Sequence, residues 1–84
     1  MKFHFTKHAI SKFLKTRKAG FSITRKQIKQ TIISAKRVED RPDKTSIAMT
    51  VIDDNHVLRV VYRRENDIIV IITFYPGRRK AYEI

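Results

Sequence analysis

His56-Val57-Leu58-Arg59-Val60-Val61-Tyr62-Arg63-Arg64 and Ile68-Ile69-Val70-Ile71-Ile72-Thr73-Phe74-Tyr75, joined by Glu65-Asn66-Asp67, decide the fold. β-branched and aromatic residues dominate both runs, the composition of strands. The three polar residues between them read as a hairpin connection. Side chains alternate along a strand. Leu58, Val60 and Tyr62 therefore share one face, and Val57, Arg59, Val61 and Arg63 share the other. The run 68–75 is apolar on both faces and is expected to be central. Folding alone does not require an arginine pair to project from the middle of a sheet. It suggests a partly open face lined with guanidinium groups. A purely structural reading lets Arg59 and Arg63 snorkel past an edge or pair with Asp53, Asp54 or Glu65.

Downstream, Pro76-Gly77 is expected to end the last strand, leaving residues 78–84 as a short basic, aromatic tail. Upstream, Ser46–Asp53 reads as a strand and Asp53-Asp54-Asn55 as a turn. Arg41-Pro42-Asp43 is another turn, with a short strand near Arg37–Glu39. Before residue 36 the period is helical. Thr24 and Gln27 have capping-box spacing, and Ile23 with Ile28 has staple spacing. Ile28, Ile32 and Ala35 then form the apolar stripe of a helix over 24–35. Thr6 is placed to cap a helix over 7–18, with Gly20 beyond its end. Ala9, Ile10, Phe13 and Leu14 fall on one side of that helix and His8, Lys12 and Lys15 on another. Residues 1–6 alternate around Phe3 and Phe5 as a short strand. The expected fold is one α+β domain over 1–84, ordered β-α-α-β-β-β with one further short strand. A two-helix hairpin would pack on one face of a small antiparallel sheet.

The chain has 84 residues, 19 Lys+Arg against 8 Asp+Glu, and a net charge of +11. A chain of this size hides roughly 64% of its extended surface on folding, enough for one modest core. Its 42% apolar content excludes a disordered basic tail. Without cysteine it has no disulfides or thiolate metal sites. No run is long enough to span a bilayer and the first residues do not read as a signal peptide, so the expected location is cytoplasmic. The charge draws polyanions: nucleic acid first, acidic proteins or anionic membrane second, the membrane reading being the weaker without an amphipathic helix.

Catalytic motifs are sparse. No glycine-rich phosphate loop is present, and no cofactor is implied. His4, His8 and His56 lack zinc-motif spacing, so no metal site is expected. The carboxylates available for a two-metal site, Asp40, Asp43, Asp53, Asp54 and Glu65, all read as turn residues. Any cleavage would therefore be metal-free and rest on Arg, Lys, Tyr and His. His8, in the first turn of its helix, is the imidazole available as a base, although a packing role is commoner for such a residue. Tyr75-Pro76-Gly77-Arg78-Arg79-Lys80-Ala81-Tyr82 could clamp a phosphate and supply a stacking or proton-donating phenol. A solvated basic terminus with Tyr82 over the core edge would look the same. Lys12, Lys15, Lys44, Arg63 and Lys80 are the other cations expected to meet nucleic acid.

Leu58-Arg59-Val60-Val61-Tyr62-Arg63-Arg64, Asp67 to Phe74, and Arg78-Arg79-Lys80-Ala81-Tyr82 resemble the C-terminal half of the RelE/ParE toxin superfamily. His8-Ala9-Ile10 with Lys12-Phe13 is similar to the opening of a compact RelE-like subfamily. The resemblance implies the fold of those toxins. In the RelE branch it also implies metal-independent endoribonuclease activity on mRNA, commonly at the ribosome. Arg59 matches the strand arginine on the scissile phosphate, Arg78 or Arg79 the arginine that stabilises it, and Tyr82 the C-terminal tyrosine. An acidic antitoxin is the implied partner. Ser46 to Asp53 departs from the pattern, because it has no Lys where RelE-type enzymes place cations; Lys44 only borders it. Proton transfer would then fall to His8 or Lys12. The ParE branch keeps the fold and inhibits a topoisomerase, so a non-catalytic nucleic-acid- or protein-binding domain is the alternative.

Overall fold

The structure, a computed structural model, describes residues 1–82. In chain order the elements are β1 (Lys2–Phe5), α1 (Lys7–Lys18), α2 (Arg25–Ile33), β2 (Arg37–Asp40), β3 (Ser46–Val51), β4 (His56–Glu65), β5 (Ile68–Arg78) and α3 (Arg79–Tyr82). The strands form one sheet in the order β1-β5-β4-β3-β2. β2 to β5 make an antiparallel meander. β1 joins β5 in parallel, pairing Lys2 with Ile68 and Phe5 with Ile71. The class is α+β as expected, but the sheet is mixed rather than antiparallel. A pairing between residues more than sixty positions apart leaves no local signal. β4 is the middle strand and β5 lies beside it.

Both helix starts follow from their caps. Thr6 Oγ1 accepts from Ala9 N–H and donates to the Ile72 carbonyl at 3.0 Å. Thr24 Oγ1 accepts from Gln27 N–H, and Gln27 Oε1 accepts from Thr24 N–H at 2.8 Å, completing the capping box. Gly20 follows α1 with φ +94°, a conformation that costs glycine little. α2 ends at Ile33, two residues short of the expected 35, and Lys36 N–H bonds to the Met49 carbonyl as β2 begins.

The two helices lie on one face of the sheet, α1 against β1 and β5 and α2 against β3 and β4. Arg25 of α2 stacks over Phe5 and Phe13 at 4.7 and 5.5 Å, joining the two helices and β1. Ala9, Phe13 and Thr16 of α1 point inward, whereas Ile10 and Leu14 are exposed. The sequence reading put all four apolar residues on the core side. Each residue turns a helix by about 100°, so Ala9 and Phe13 cannot face the sheet with Ile10 and Leu14 equally buried.

A bulge in β5 sets its two faces. Val61 pairs with Thr73 and Tyr62 with Ile71, leaving Ile72 as the extra residue. The inserted residue inverts the alternation beyond it. Ile69, Ile71 and Phe74 therefore all join the helix-side core with Leu58, Val60 and Tyr62. The Ile72 carbonyl is the one that Thr6 holds, so the bulge also anchors the start of α1. At its other end β5 continues through Pro76-Gly77 to Arg78, where it was expected to stop. β1 covers β5 only as far as Ile71. Beyond that point one side of β5 is an open edge, where the missing proline N–H disrupts no ladder.

Phe74 is fully buried, with its ring 4.8 Å from that of Phe13. Phe74→Ala is expected to remove about 3–5 kcal/mol of stability, read from urea unfolding. The total for a chain of this size is only about 4–13 kcal/mol. Asp53 gives a pH test. The Asn55 N–H and then His56 hold its carboxyl below the ordinary 3.8. A lowered folded-state value adds stability above the unfolded value, and that stability is lost as pH falls through the folded one. Between about pH 5 and pH 2 the melting temperature of wild type should therefore fall more steeply than that of Asp53→Asn.

Candidate phosphate-binding face around Arg59

The face of the sheet opposite α1 and α2 is built in rows set by strand register. Arg37, Met49, Arg59 and Tyr75 form one row across β2, β3, β4 and β5. Glu39, Ile47, Val61 and Thr73 form the next. Ile47, Met49, Val57, Val61 and Val70 are buried here without belonging to the helix-side core. This face therefore holds a thin apolar layer of its own, with Arg59 at its centre.

Arg59 is 6% exposed. A buried cation needs groups that replace its lost hydration. Its Nε donates to the Tyr75 hydroxyl at 3.1 Å, and Nη1 lies 3.6 Å from Met49 Sδ. Nη2 lies 3.6 Å from Glu39 Oε2. Its guanidinium carbon sits 4.2 Å from the centroid of the Tyr82 ring and 5.8 Å from that of Tyr75. Burial works against the charged form. The Tyr75 hydrogen bond, the charge interactions with both tyrosines and the Glu39 carboxylate outweigh it, and the pKa is raised. Arg59 is a cation at any physiological pH.

Tyr82 reaches Arg59 because α3 folds back over the end of β5. Arg79 N–H bonds to the Asn55 carbonyl at 2.8 Å and starts that turn. Gly77 lies directly beneath the ring: a Cβ there would fall 2.7 Å from Tyr82 Cε2. A side chain at position 77 would therefore push against the ring that rests on the Arg59 guanidinium.

The residues singled out in the sequence fall into separate groups. Arg59 and Tyr82 touch. Arg78 is exposed at the end of β5 opposite His56, and Arg79 and Lys80 lie in α3. Arg63 is on the same face as Arg59 but pairs with Glu65, its Nε donating at 2.8 Å. Of the acidic partners considered for the arginine pair, Glu65 takes Arg63, and Glu39 rather than Asp53 or Asp54 meets Arg59. Asp53 instead meets His56. Lys44 is exposed in the β2–β3 turn with φ 69°. His8, Lys12 and Lys15 belong to α1, in the layer across the sheet from Arg59. The structure does not bring them to Arg59. The histidine on the Arg59 face is His4, which pairs with Val70 in the same row as Arg63. Among the described residues no group of three or more His, Asp or Glu is placed to hold a metal ion. None of the helices described is long and apolar enough to cross a membrane.

Tyr75, Glu39, Arg37 and Met49 were not singled out. Each is an ordinary strand residue until the register of four strands aligns them. Comparison with known proteins leaves the geometry to speak for itself: no family model, curated protein or solved structure matches this chain.

An arginine bonded to the Tyr75 hydroxyl and set against the Tyr82 ring brings together a cation and an aromatic ring, the groups that contact phosphate oxygens and stack bases. Gly77→Ala should lift the Tyr82 ring off Arg59. NMR should show loss of the ring-current shift on the Arg59 side-chain protons; an unchanged shift would mean that the stack does not depend on Gly77.

Proposed function

We propose that the protein acts on RNA as a metal-independent endoribonuclease of the toxin type, gripping the phosphodiester through Arg59. The observation that carries this reading is the contact of the Arg59 guanidinium with Tyr82, 4.2 Å from the ring centroid, on the face that the two long helices leave uncovered. The +11 charge supports a polyanionic substrate. In the reaction the RNA 2′-hydroxyl gives its proton to solvent, its oxygen bonds to the adjacent phosphorus to form a 2′,3′-cyclic phosphate, and the bond from phosphorus to the 5′-oxygen breaks. Arg59 stabilises the charge that develops on the phosphoryl oxygens. Arg78 and Arg79, at the entry to α3, add positive potential. The phenols of Tyr75 and Tyr82 are the proton-bearing groups in contact with Arg59, and Tyr82 is assigned to orient the substrate or protonate the leaving oxygen. An acidic antitoxin covering the Arg59 face is the proposed partner, and the cytoplasm the proposed compartment.

A second reading has its own observation. His8 and Lys12, the groups expected to move a proton, lie in the other layer. A face that binds RNA, or an acidic protein, without cutting would need neither.

One experiment separates the two. Purified protein is incubated with RNA in excess EDTA, with and without ribosomes. Under the nuclease reading fragments accumulate, and Arg59→Lys slows them by roughly 10²–10³-fold, the usual cost of losing an oxyanion donor. Lysine is the informative replacement. Alanine at this buried position would empty a packed volume and leave the Tyr75 hydroxyl without its donor, so Arg59→Ala is expected to lose stability as well as activity. Intact RNA together with salt-sensitive binding would select the second reading. Cleavage by Arg59→Lys at the wild-type rate would remove Arg59 from the reaction.

A further inference from the structure

Arg59 is not the sole cation facing Glu39. One carboxylate oxygen, Oε2, lies 3.6 Å from Arg59 Nη2, and the other, Oε1, lies 3.7 Å from Arg37 Nη2. A single carboxylate thus bridges two guanidinium groups from different strands. Both distances exceed the 2.7–2.9 Å or so of a charge-assisted hydrogen bond. Glu39 is held there by charge, without the short fork that arginine and carboxylate form when fully engaged. The two cations and one anion also leave a local excess of one positive charge.

Glu39 is the exposed partner of a buried cation. Its side chain is 44% exposed, while that of Arg59 is 7% exposed. It sits on β2, an edge strand of four residues that are all exposed, paired only through β3. Arg59, by contrast, is fixed by Tyr75, Met49 and Tyr82. Arg59 is the buried end of the arrangement, and Glu39 and Arg37, 44% and 42% exposed on the edge strand, are its open end.

The geometry points to Arg37 and Arg59 as a two-guanidinium phosphodiester site that the chain's own Glu39 keeps occupied. Glu39 takes the place of a backbone phosphate, and RNA must displace it. The proposal rests on the RNA reading above and adds to it a further binding residue, Arg37, and a built-in competitor. It offsets one of the two positive charges of the resting site, so that a weakly held anion is excluded while a polyanion anchored by the surrounding cations is admitted.

The probe is a fluorescein-labelled oligodeoxyuridine, which carries the phosphodiester but no 2′-hydroxyl and so is not cut. Its affinity is measured by anisotropy at one fixed salt concentration. Glu39→Gln, nearly isosteric and uncharged, should tighten binding roughly two- to fivefold, the range expected for removing a half-exposed ionic competitor. Glu65→Gln removes the same charge from the Arg63 pair on the same face and should change affinity less than about twofold. Arg37→Ala added to Glu39→Gln should abolish the gain. Equal tightening by Glu39→Gln and Glu65→Gln would reduce the effect to net charge and overturn the proposal. If wild type binds, Arg59→Lys weakens it and Glu39→Gln changes nothing, the competitor role fails while the RNA reading stands. If Glu39→Gln binds and wild type does not, Glu39 is the block. If neither binds, with thermal melts showing both folded, the phosphodiester site and the RNA reading fall together.

Discussion

A guanidinium held at 6% exposure in the middle strand of a sheet must find substitutes for water, and one face of this molecule is arranged around that need. Tyr75 accepts from Nε, Met49 offers its sulfur to Nη1, Tyr82 lays a ring against the cation and Glu39 brings the counter-charge. Each comes from a different element, so the cation ties together β2, β3, β4, β5 and α3. Replacing such a group is costly because the partners left behind lose theirs as well. The same saturation makes Arg59 a fixed, pre-oriented charge, which is what a phosphate contact requires.

The Ile72 bulge is the second organising feature. It allows a strand that is apolar on both sides to present Ile69, Ile71 and Phe74 together to the helices. It leaves Tyr75 on the opposite face, aligned with Arg59. Without the inserted residue, one part of β5 would face the wrong layer. Its freed carbonyl holds Thr6, so the geometry that sorts the two faces also sets where α1 begins.

For function the two layers divide the basic groups. α1 carries His8, Lys12 and Lys15 on the helical side, while Arg59, Arg63 and Tyr82 occupy the other. The groups that meet at Arg59 are two tyrosines, the Met49 sulfur and a carboxylate that reaches in from the β2 edge. The Glu39 carboxylate on that edge gives the site an internal anion to be exchanged for an external one.

Elements with local causes were legible in the sequence. The Thr24–Gln27 capping box, the Thr6 cap, Gly20 after α1, the β4–β5 hairpin and the alternation placing Arg59 opposite Leu58 and Val60 depend on neighbours a few residues away. The strong positive charge is likewise a property of composition. Three features lay beyond that range: the parallel partner of β1, the course of β5 through Pro76-Gly77, and the exposure of Ile10 and Leu14. Each depends on what lies beside a segment rather than within it. The site divides in the same way. Arg59 and Tyr82 stood out as unusual residues in their own segments. Arg37, Glu39, Met49 and Tyr75 gained meaning only when four strands came into register, and His8 came to lie across the sheet from Arg59 when α1 packed there. Backbone propensity and capping act over one turn or one strand, so sequence alone determined the elements and the charge. Contacts among distant side chains exist only after those elements pack, so the tertiary structure alone decided which groups meet.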